Sequence, residues 1–372
     1  MKRAIAIFMA VLTCLVITSS VVTTTAFDGN AICSTGDLNT TSVKVPKEAV
    51  WKKVLSMPYG SGIGEVGLFK DEIAVGGPNV IIVEGNNISI LDTYNNRILI
   101  YNTIDGFSSI GLPDYLTPLN MCRANGSYYV LDTMDTIYEV KESEKAECKY
   151  ELPEGFSSGY IDKLQPTADG GVEILDVYYS ANVPIISKEK GVMLKNSSQY
   201  AFVDGNSATI KDGDLTWNIN LPEGRCGIYY IGKDKDGNAY VRVSQYVPDS
   251  AVVMFEPTIR KFNKYSEQIG VALIPSNDWI FCADRYACVT EEGKLYVIGF
   301  TDSEATVYEL ILGSEYISNM TELTNRARQI EGSIASSSTR GQTFNVTRGQ
   351  EYDNAVAMVG TQWTPFPACK SL

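Results

Sequence analysis

A short segment recurs six times along this chain: a turn pair that contains glycine, followed by a strand of alternating apolar residues. The copies read EGNNISILD, ANGSYYVLD, ADGGVEILD, VDGNSATIK, KDGNAYVRV and EEGKLYVIG. They end at Asp92, Asp132, Asp176, Lys211, Val243 and Gly299. This spacing lies loosely around the period of about 40 to 50 residues that marks propeller blades. Each such unit leaves an apolar face that only a stacked neighbour covers, so the repeat predicts an array of packed β-units.

The rest of the central region supports the same fold. Strand patterns dominate from Val54 to Leu312, without a long helical periodicity. Apolar stretches that end in proline recur between the copies, as at Pro113 and Pro153, and proline at a strand end suits a crossover between blades. We therefore predict an all-β fold, a six-bladed β-propeller over residues 54–313, in which the strand Trp51–Met57 closes the ring.

The beginning of the chain predicts export. Lys2 and Arg3 precede an apolar run from Ala4 to Ile17, and small residues follow as far as Ala26. This is the pattern of a secretory signal peptide over residues 1–26, which leaves 27–53 as an N-terminal segment. The alternative is an uncleaved membrane anchor, although the apolar run is shorter than the roughly 20 residues that a spanning helix needs.

The last part of the chain, residues 314–372, has a different composition, rich in Ser, Thr, Asn and Gly. The pattern predicts a helix over Thr321–Glu331 that stops at Gly332, a polar linker over Ser333–Gln342, and a second short helix after Thr347. This helical tail either docks on the propeller or opens a truncated second domain.

Composition restricts the possible chemistry. Among 372 residues there are 31 Lys and Arg, 44 Asp and Glu, and no His, which gives a net charge of -13. An acidic surface opposes a phosphate backbone, so we expect no nucleic-acid partner. Without His the chain assembles no Ser-His-Asp or Cys-His relay and no His-based metal site. We accordingly predict no catalytic residue, no cofactor and no metal site.

Three motifs invite a functional interpretation, and each has a structural one. GIGEVG (Gly62–Gly67) resembles a dinucleotide fingerprint, but Gly76, Gly77 and Pro78 interrupt the helix that should follow, which favours an inter-blade loop. GFSSG (Gly155–Gly159) matches a nucleophile elbow whose serine lacks a histidine base. DKDGN (Asp234–Asn238) resembles a calcium loop, but a hairpin turn explains it without a metal.

Cysteines leave two possibilities open. Seven remain after Ala26, an odd number, so at least one thiol is unpaired unless pairing is intermolecular. Cys122 could bridge to Cys148, and Cys282 to Cys288; alternatively these are buried, reduced thiols.

The segment Gly77–Asn102 resembles one blade of an NHL/YVTN-like propeller. Asp92, Asn95, Arg97 and Ile98 match the family's spacing of Asp, Asn, Arg and Ile. We expect a structural role, in which Asp92 and Asn95 satisfy backbone donors of the tight turn and Arg97 pairs locally.

Later blades depart from this pattern. Asp132 is followed by Asp135 and Ile137, and Asp176 by Tyr179, without the arginine. A propeller presents a shallow face built from loops between strands. The candidate ligand-face residues are therefore Asp92, Asp132, Asp135 and Asp176.

The tail segment Thr347–Pro365 resembles the helix that leads into the catalytic domain of NlpC-type cell-wall cysteine peptidases. The domain itself, with its histidine, is absent from this sequence. The resemblance implies a relative that kept its propeller.

These observations predict a secreted or cell-wall-associated, non-catalytic binding module of the bacterial cell envelope, without a membrane span after signal cleavage. Its partner would be an envelope glycan or a surface protein, and it could be the accessory part of a cell-wall hydrolase. The alternative is an enzyme, either a carboxylate-metal lactonase or a polysaccharide lyase. A third possibility is a decayed fragment without an independent role.

Overall fold

The computed structural model describes residues 46–338 except 72–74, 142–143, 168, 177–181, 188, 222–225, 251–253, 276–278 and 281–284, and it also leaves undescribed the side chains of 144–148, 200, 202 and 334–338. Strand β1 (Val50–Pro58) comes first, followed by a small hairpin of β2 (Phe69–Lys70) and β3 (Val75–Gly76).

The remaining strands form six antiparallel sheets, which are the six blades of the predicted propeller. Blade 1 contains β4 (Val80–Glu84), β5 (Asn87–Asp92), β6 (Arg97–Asn102) and β7 (Gly106–Gly111). Blade 2 contains β8 (Pro118–Ala124), β9 (Ser127–Asp132), β10 (Thr136–Lys141) and β11 (Glu144–Glu151). Blade 3 contains β12 (Ile161–Pro166), β13 (Val172–Asp176), β14 (Asn182–Ser187) and β15 (Gly191–Asn196). Blade 4 contains β16 (Gln199–Asp204), β17 (Ser207–Asp212) and β18 (Leu215–Asn220). Blade 5 contains β19 (Cys226–Lys233), β20 (Ala239–Tyr246), β21 (Phe255–Phe262) and β22 (Gln268–Leu273). Blade 6 contains β23 (Ala287–Val289), β24 (Leu295–Phe300) and β25 (Glu304–Ile311) together with β1.

The six sequence copies are the second strands of the six blades, namely β5, β9, β13, β17, β20 and β24. In each blade the turn before the second strand contains a glycine with positive φ, at Gly85, Gly126, Gly170, Gly205, Gly237 and Gly293. Glycine adopts this left-handed conformation without a Cβ penalty. The recurrence of glycine therefore has a direct structural cause.

Strand β1 closes the ring. It pairs with β25 as the outermost strand of blade 6, from Val50 opposite Ile311 to Pro58 opposite Glu304. The chain from just before the first blade thus completes the last one, as the sequence predicts for Trp51–Met57. On the inner side, Arg285 before β23 forms a parallel bridge with Val80 of β4.

The apolar core lies between successive blades. On β9, Tyr128 packs in a cluster with residues of blade 1, whereas Tyr129 packs with residues of blade 3. Successive side chains on a strand point to opposite faces, so one strand contributes to two interfaces. This is why the second strands of blades 1 to 3 are buried along almost their whole length.

Blade 4 has three strands among the described residues. Only residues 221–225 separate β18 from β19. The outer edge of β18 is partly covered by blade 5, because the Asn218 amide donates to Ser266 Oγ over 2.9 Å. A covered edge is protected from pairing with another chain.

Helix α1 (Met320–Ser338) follows the propeller. Leu323 and Ala327 pack on Val247 and Met254, and Glu256 accepts hydrogen bonds from Ser318 and Asn319 just before the helix.

The expected stop at Gly332, and the linker from Ser333, are wrong over the part described, since α1 continues to Ser338. One glycine costs a helix only about 1 kcal/mol, and Ser333 Oγ donates back to the Gln329 carbonyl over 2.9 Å.

The signal peptide, the second helix after Thr347 and the peptidase-like tail segment lie outside the described residues. Among the residues that are described, no helix has the length and apolarity needed to cross a membrane.

Candidate functional site: the top of the central channel

The innermost strands β4, β8, β12, β16, β19 and β23 surround the centre of the propeller. We call the face where these strands begin the top face. Because the second strand of each blade is antiparallel to the first, it ends on the same face. Asp92, Asp132 and Asp176 are the last residues of their second strands, so the top face carries all three.

Asp92 and Arg97 form a buried ion pair on this face. Arg97 Nε donates to Asp92 Oδ2 over 2.9 Å, and the Asp92 side chain is 0% exposed. Asp92 also accepts from the Gly67 amide over 2.8 Å and from Asn95 Nδ2 over 2.8 Å. Ile98, the fourth motif residue, lies in the core between blades 1 and 2. The Asp92 carboxylate is thus occupied by protein donors.

The partners of this motif lie mainly outside its own turn. Arg97 donates through Nη1 and Nη2 to the carbonyls of Ser61, Gly62 and Glu65, and Asn95 donates to the Gly60 carbonyl. The glycine-rich loop that follows β1 is therefore fastened to blade 1. This is the loop in which the sequence shows GIGEVG.

The other candidate ligand-face carboxylates are also buried or bonded. Asp132 accepts from the amides of Met134 and Thr136 over 2.9 and 3.0 Å. Burial raises the pKa of Asp132, although these hydrogen bonds oppose the shift. Asp135, with φ of 60°, accepts from Ser157 Oγ over 3.1 Å.

Asp135 therefore ties the GFSSG segment to blade 2, because it also accepts from the Ser158 amide over 2.5 Å. Asp176 is buried at the end of β13. The structure does not bring these acidic residues together into a metal site: the described residues contain no group of three or more metal-ligating side chains.

Arg285 lies across the channel near the top face. Its backbone bonds to Asn79 and Ile81 of blade 1, and its Nη1 donates to Asn120 Oδ1 over 3.0 Å. Longer contacts of 3.4 Å reach the carbonyls of Met121 in blade 2 and Leu164 in blade 3. Burial lowers the pKa of Arg285, an effect that Asp162 opposes. Through its backbone and its guanidinium together, Arg285 thus contacts blades 1, 2 and 3.

Lys163, the third residue of β12, lies nearby and is only 5% exposed. Its ammonium lies 4.7 Å from the centroid of the Tyr230 ring, across from blade 5. Burial lowers the pKa of Lys163 to about 8, with Arg285 acting in the same direction and Asp162, Asp212 and Glu173 opposing it.

A third cation comes from blade 5. The Arg242 guanidinium stacks over Tyr229 at 4.1 Å from the ring centroid and lies 5.6 Å from that of Tyr286. Burial raises the pKa of Tyr229, and Asp162 contributes to the increase. Because Asp162 acts on Tyr229, Lys163 and Arg285 alike, these groups belong to one electrostatic environment, which we call the channel cluster: Asp162, Lys163, Arg242 and Arg285 with Tyr229 and Tyr230.

Two further carboxylates next to Lys163 are held by other groups. Asp212 accepts from Lys233 Nζ and from the Tyr230 hydroxyl, both over 2.7 Å. Glu173 accepts from the Ser198 amide and from Gln165 Nε2, also over 2.7 Å. Both carboxylates are therefore bonded to protein donors, and both still favour the charged form of Lys163.

Two cysteines lie beside Arg285. Cys122 and Cys288 are free thiols, so of the two alternatives that the sequence leaves open, the structure shows reduced thiols at these two positions. Burial raises the pKa of each to about 12. Both are protonated at neutral pH and are poor nucleophiles, since the thiolate is the reactive form.

The DKDGN segment forms the turn between β19 and β20. Asp234 Oδ1 accepts from the amides of Asp236 and Asn238 over 3.1 and 2.9 Å, and Lys261 pairs with Oδ2 over 3.1 Å. The hairpin interpretation therefore accounts for this acidic residue.

The sequence did not indicate Lys163, Arg242 or Arg285. They come from three blades and share no motif. The available signal was a lysine within the strand segment IDKLQP, directly before Leu164. A charged residue at a buried position of an innermost strand needs a partner or a function.

No protein-family model matches the sequence, and no characterised protein shows significant sequence similarity to it. Among solved structures, virginiamycin B lyase from Staphylococcus aureus is similar, with 12% identity, a TM-score of 0.43, and coverage of 70% of this chain and 99% of that one. A gluconolactonase-like protein is similar with 10% identity, a TM-score of 0.39, and coverage of 71% and 99%. Similarities this low transfer no substrate and no activity to this chain.

Proposed function

We propose that this chain is an exported, non-catalytic binding propeller of the bacterial cell envelope. The observation that carries the proposal is the channel cluster, in which cationic and aromatic side chains from blades 3, 5 and 6 converge at the top face. Charged side chains beside tyrosine rings suit recognition by charge-assisted hydrogen bonds and stacking. The ligand would be an envelope glycan or a surface protein.

The arrangement of the cluster supports binding over turnover. Arg285 is tied to Asn120 and to backbone atoms, and Asp212 and Glu173 are held by two or more donors each. The thiols of Cys122 and Cys288 are protonated. Groups fixed in this way orient a ligand at low entropic cost.

Export is part of the proposal and rests on the pattern of residues 1–26. We expect the native product in the culture medium or in a cell-wall extract. Its intact mass should equal that of a chain cleaved after Ala26. A product that keeps the first 26 residues and remains inside the cell contradicts export.

Binding is tested by incubating the purified chain with isolated envelope fractions and measuring what sediments with them. Arg242→Gln should lower retention, because the substitution removes the charge stacked on Tyr229. Lys264→Gln is a matched control on an exposed turn of the same blade. Stoichiometric metal in the protein, or turnover of lactones or polyanionic sugars, would contradict a non-catalytic role and favour the enzyme alternative.

A further inference from the structure

The Lys163 ammonium is a buried charge that lies against an aromatic ring. Its side chain is 5% exposed and approaches the Tyr230 ring at 4.7 Å. Among the residues that the structure describes, none accepts a hydrogen bond from Lys163 Nζ or forms an ion pair with it. Burying an ammonium in this way is costly unless the charge is paired.

The groups around Lys163 carry charges of both signs. Arg285 disfavours the charged form of Lys163, whereas Asp162, Asp212 and Glu173 favour it. Asp212 and Glu173 are already bonded to other donors, as described above. The phenol of Tyr230 donates to Asp212 and presents its ring, not its oxygen, to Lys163. Asp162 also favours the ammonium but forms no ion pair with it among the described residues, so the N–H donors of Lys163 remain available to a negative group.

We infer that the channel cluster binds a single oxyanion, a carboxylate or a phosphate group, at the ammonium of Lys163. The inference deepens the proposed function and rests on it, because it names the chemical group that the binding propeller recognises. An ammonium offers three N–H donors, and charge-assisted bonds to oxyanions are among the stronger hydrogen bonds in proteins.

The net charge of the chain limits the size of this ligand. At -13, the protein repels long polyanions as a whole, while a single oxyanion at Lys163 meets mainly the local field of Lys163 and Arg285 and of the bonded carboxylates beside them. At physiological salt the screening length is about 8 Å, so nearby charges dominate. We therefore expect a small ligand or one acidic group on a largely neutral glycan.

Proton linkage gives a specific signature. Burial lowers the pKa of Lys163 to about 8, so at pH 8.5 the free protein carries mostly the neutral amine. A bound anion favours the ammonium form and raises this pKa. Binding at pH 8.5 should then take up roughly three-quarters of a proton, and binding at pH 6.5 almost none.

The experiment is a calorimetric titration of the purified chain with sodium acetate and, separately, inorganic phosphate at constant ionic strength. Acetate is measured at pH 6.5 and 8.5 in two buffers of different ionisation enthalpy, which reports the proton uptake. The relative affinities of the two probes distinguish a carboxylate ligand from a phosphate ligand. We expect saturable one-to-one binding, and a loss of at least tenfold in affinity in Lys163→Met.

Lys195→Met is the control, because Lys195 is an exposed lysine on the outermost strand of the same blade. The Lys195→Met variant should bind acetate and phosphate with the same affinity as the unmodified protein. If Lys163→Met does not fold, as judged by near-ultraviolet circular dichroism, the proton uptake of the unmodified protein decides the question alone.

The inference is overturned if neither probe binds saturably, if Lys163→Met binds as well as the unmodified protein, or if binding at pH 8.5 takes up no proton. Envelope retention, measured on the same preparation, separates the two proposals. Retention without oxyanion binding removes only this inference. Oxyanion binding without retention keeps the site and contradicts the envelope function.

Discussion

Arg97 concentrates several contacts in one buried side chain. It pairs with Asp92 and donates to three carbonyls of the loop that follows β1. Removing one partner of a buried pair leaves the other charge uncompensated, which costs about 3–5 kcal/mol. We expect Arg97→Met to lower the free energy of unfolding by this amount in urea denaturation.

The matched control is Lys52→Met, which removes a pair of 3.0 Å to Glu309 from the surface of blade 6. The Lys52 side chain is 64% exposed, and exposed pairs contribute about 0–1 kcal/mol. If the free energy of unfolding falls equally in the two variants, the buried contacts of Arg97 contribute no more to stability than an exposed ion pair does.

Lys163 makes the stability of the free protein depend on pH. Its pKa is about 8 in the folded chain, below the ordinary lysine value of 10.5, so the unfolded chain binds more protons between these values. The free energy of unfolding contributed by this residue therefore rises with pH through that window and is lowest below pH 8. Between pH 7.5 and 9.5 the increase should be at most about 2 kcal/mol.

This prediction is measured as a difference between the unmodified protein and Lys163→Met in acetate- and phosphate-free buffer. The subtraction removes the contributions of the tyrosines and of Asp162, Arg285, Asp212 and Glu173. A difference that stays constant over the range would mean that Lys163 keeps an ordinary pKa.

At this scale the sequence predicted some contacts and missed others. The spacing of Asp92, Asn95, Arg97 and Ile98 indicated a structural cluster, and the side chains of Asp92, Asn95 and Arg97 do contact one another. Their bonds to the loop of residues 60–67 were not predictable, because a local motif does not specify which distant backbone it meets. The same limit applies to Lys163 and Arg285, which come together only when the ring closes.

Among the elements, the second strand of each blade was the most predictable. Its preceding glycine turn and apolar pattern are local signals, and all six copies occupy equivalent positions. The third strand of each blade has no comparable repeated signature. The end of α1 was misplaced because Gly332 is tolerated within the helix, with Ser333 bonded back to Gln329.

Docking of α1 depends on a small contact. Ala327 is 1% exposed and packs with Leu323 against Val247 and Met254 of blade 5. Ala327→Arg places a charged side chain in this contact, so the helix should detach while the blades remain folded. Hydrogen exchange should then show loss of protection in α1, with little change in β24 and β25.

Arg328→Ala is the control for the helix, since Arg328 is exposed on α1. It should keep the protection pattern of the unmodified protein. If Ala327→Arg instead unfolds the whole propeller cooperatively, α1 is an integral part of the fold and not a docked appendage.

At the level of the whole molecule, the six copies of the repeat predicted six blades. Each unit needs a neighbour on both sides to cover its apolar faces, which predicted that the blades pack side by side. Ring closure was predictable from the strand Trp51–Met57, which has no partner in its own vicinity. That blade 4 has three strands among the described residues was not predictable from the repeat. It follows from the few residues between Asn220 and Cys226, which leave no length for a further strand.

The pairing of β1 with β25, which we call the seam, joins distant parts of the chain and closes the propeller. The strand pairs with β25 along its length, and Leu55 and Met57 enter the core of blade 6. A chain shortened to begin at Tyr59 leaves the edge of β25 unpaired and exposes these apolar neighbours, and such edges promote aggregation. We expect this variant to lose cooperative thermal unfolding and to associate, as measured by circular dichroism and light scattering.

A chain that begins at Pro46 is the corresponding control, because it keeps β1 and the bonds from Ser314 and Glu315 to the carbonyls of Pro46 and Lys47. It should unfold in one transition near the temperature of the full chain. If the variant beginning at Tyr59 behaves like this control, the other three strands of blade 6 close the ring without the seam.

The seam also affects the binding site, since Arg285 lies beside blade 6 and links it to blades 1, 2 and 3. Opening the ring should therefore abolish oxyanion binding at Lys163 even though Lys163 itself is in blade 3, and calorimetry on any soluble fraction of the shortened chain measures this dependence.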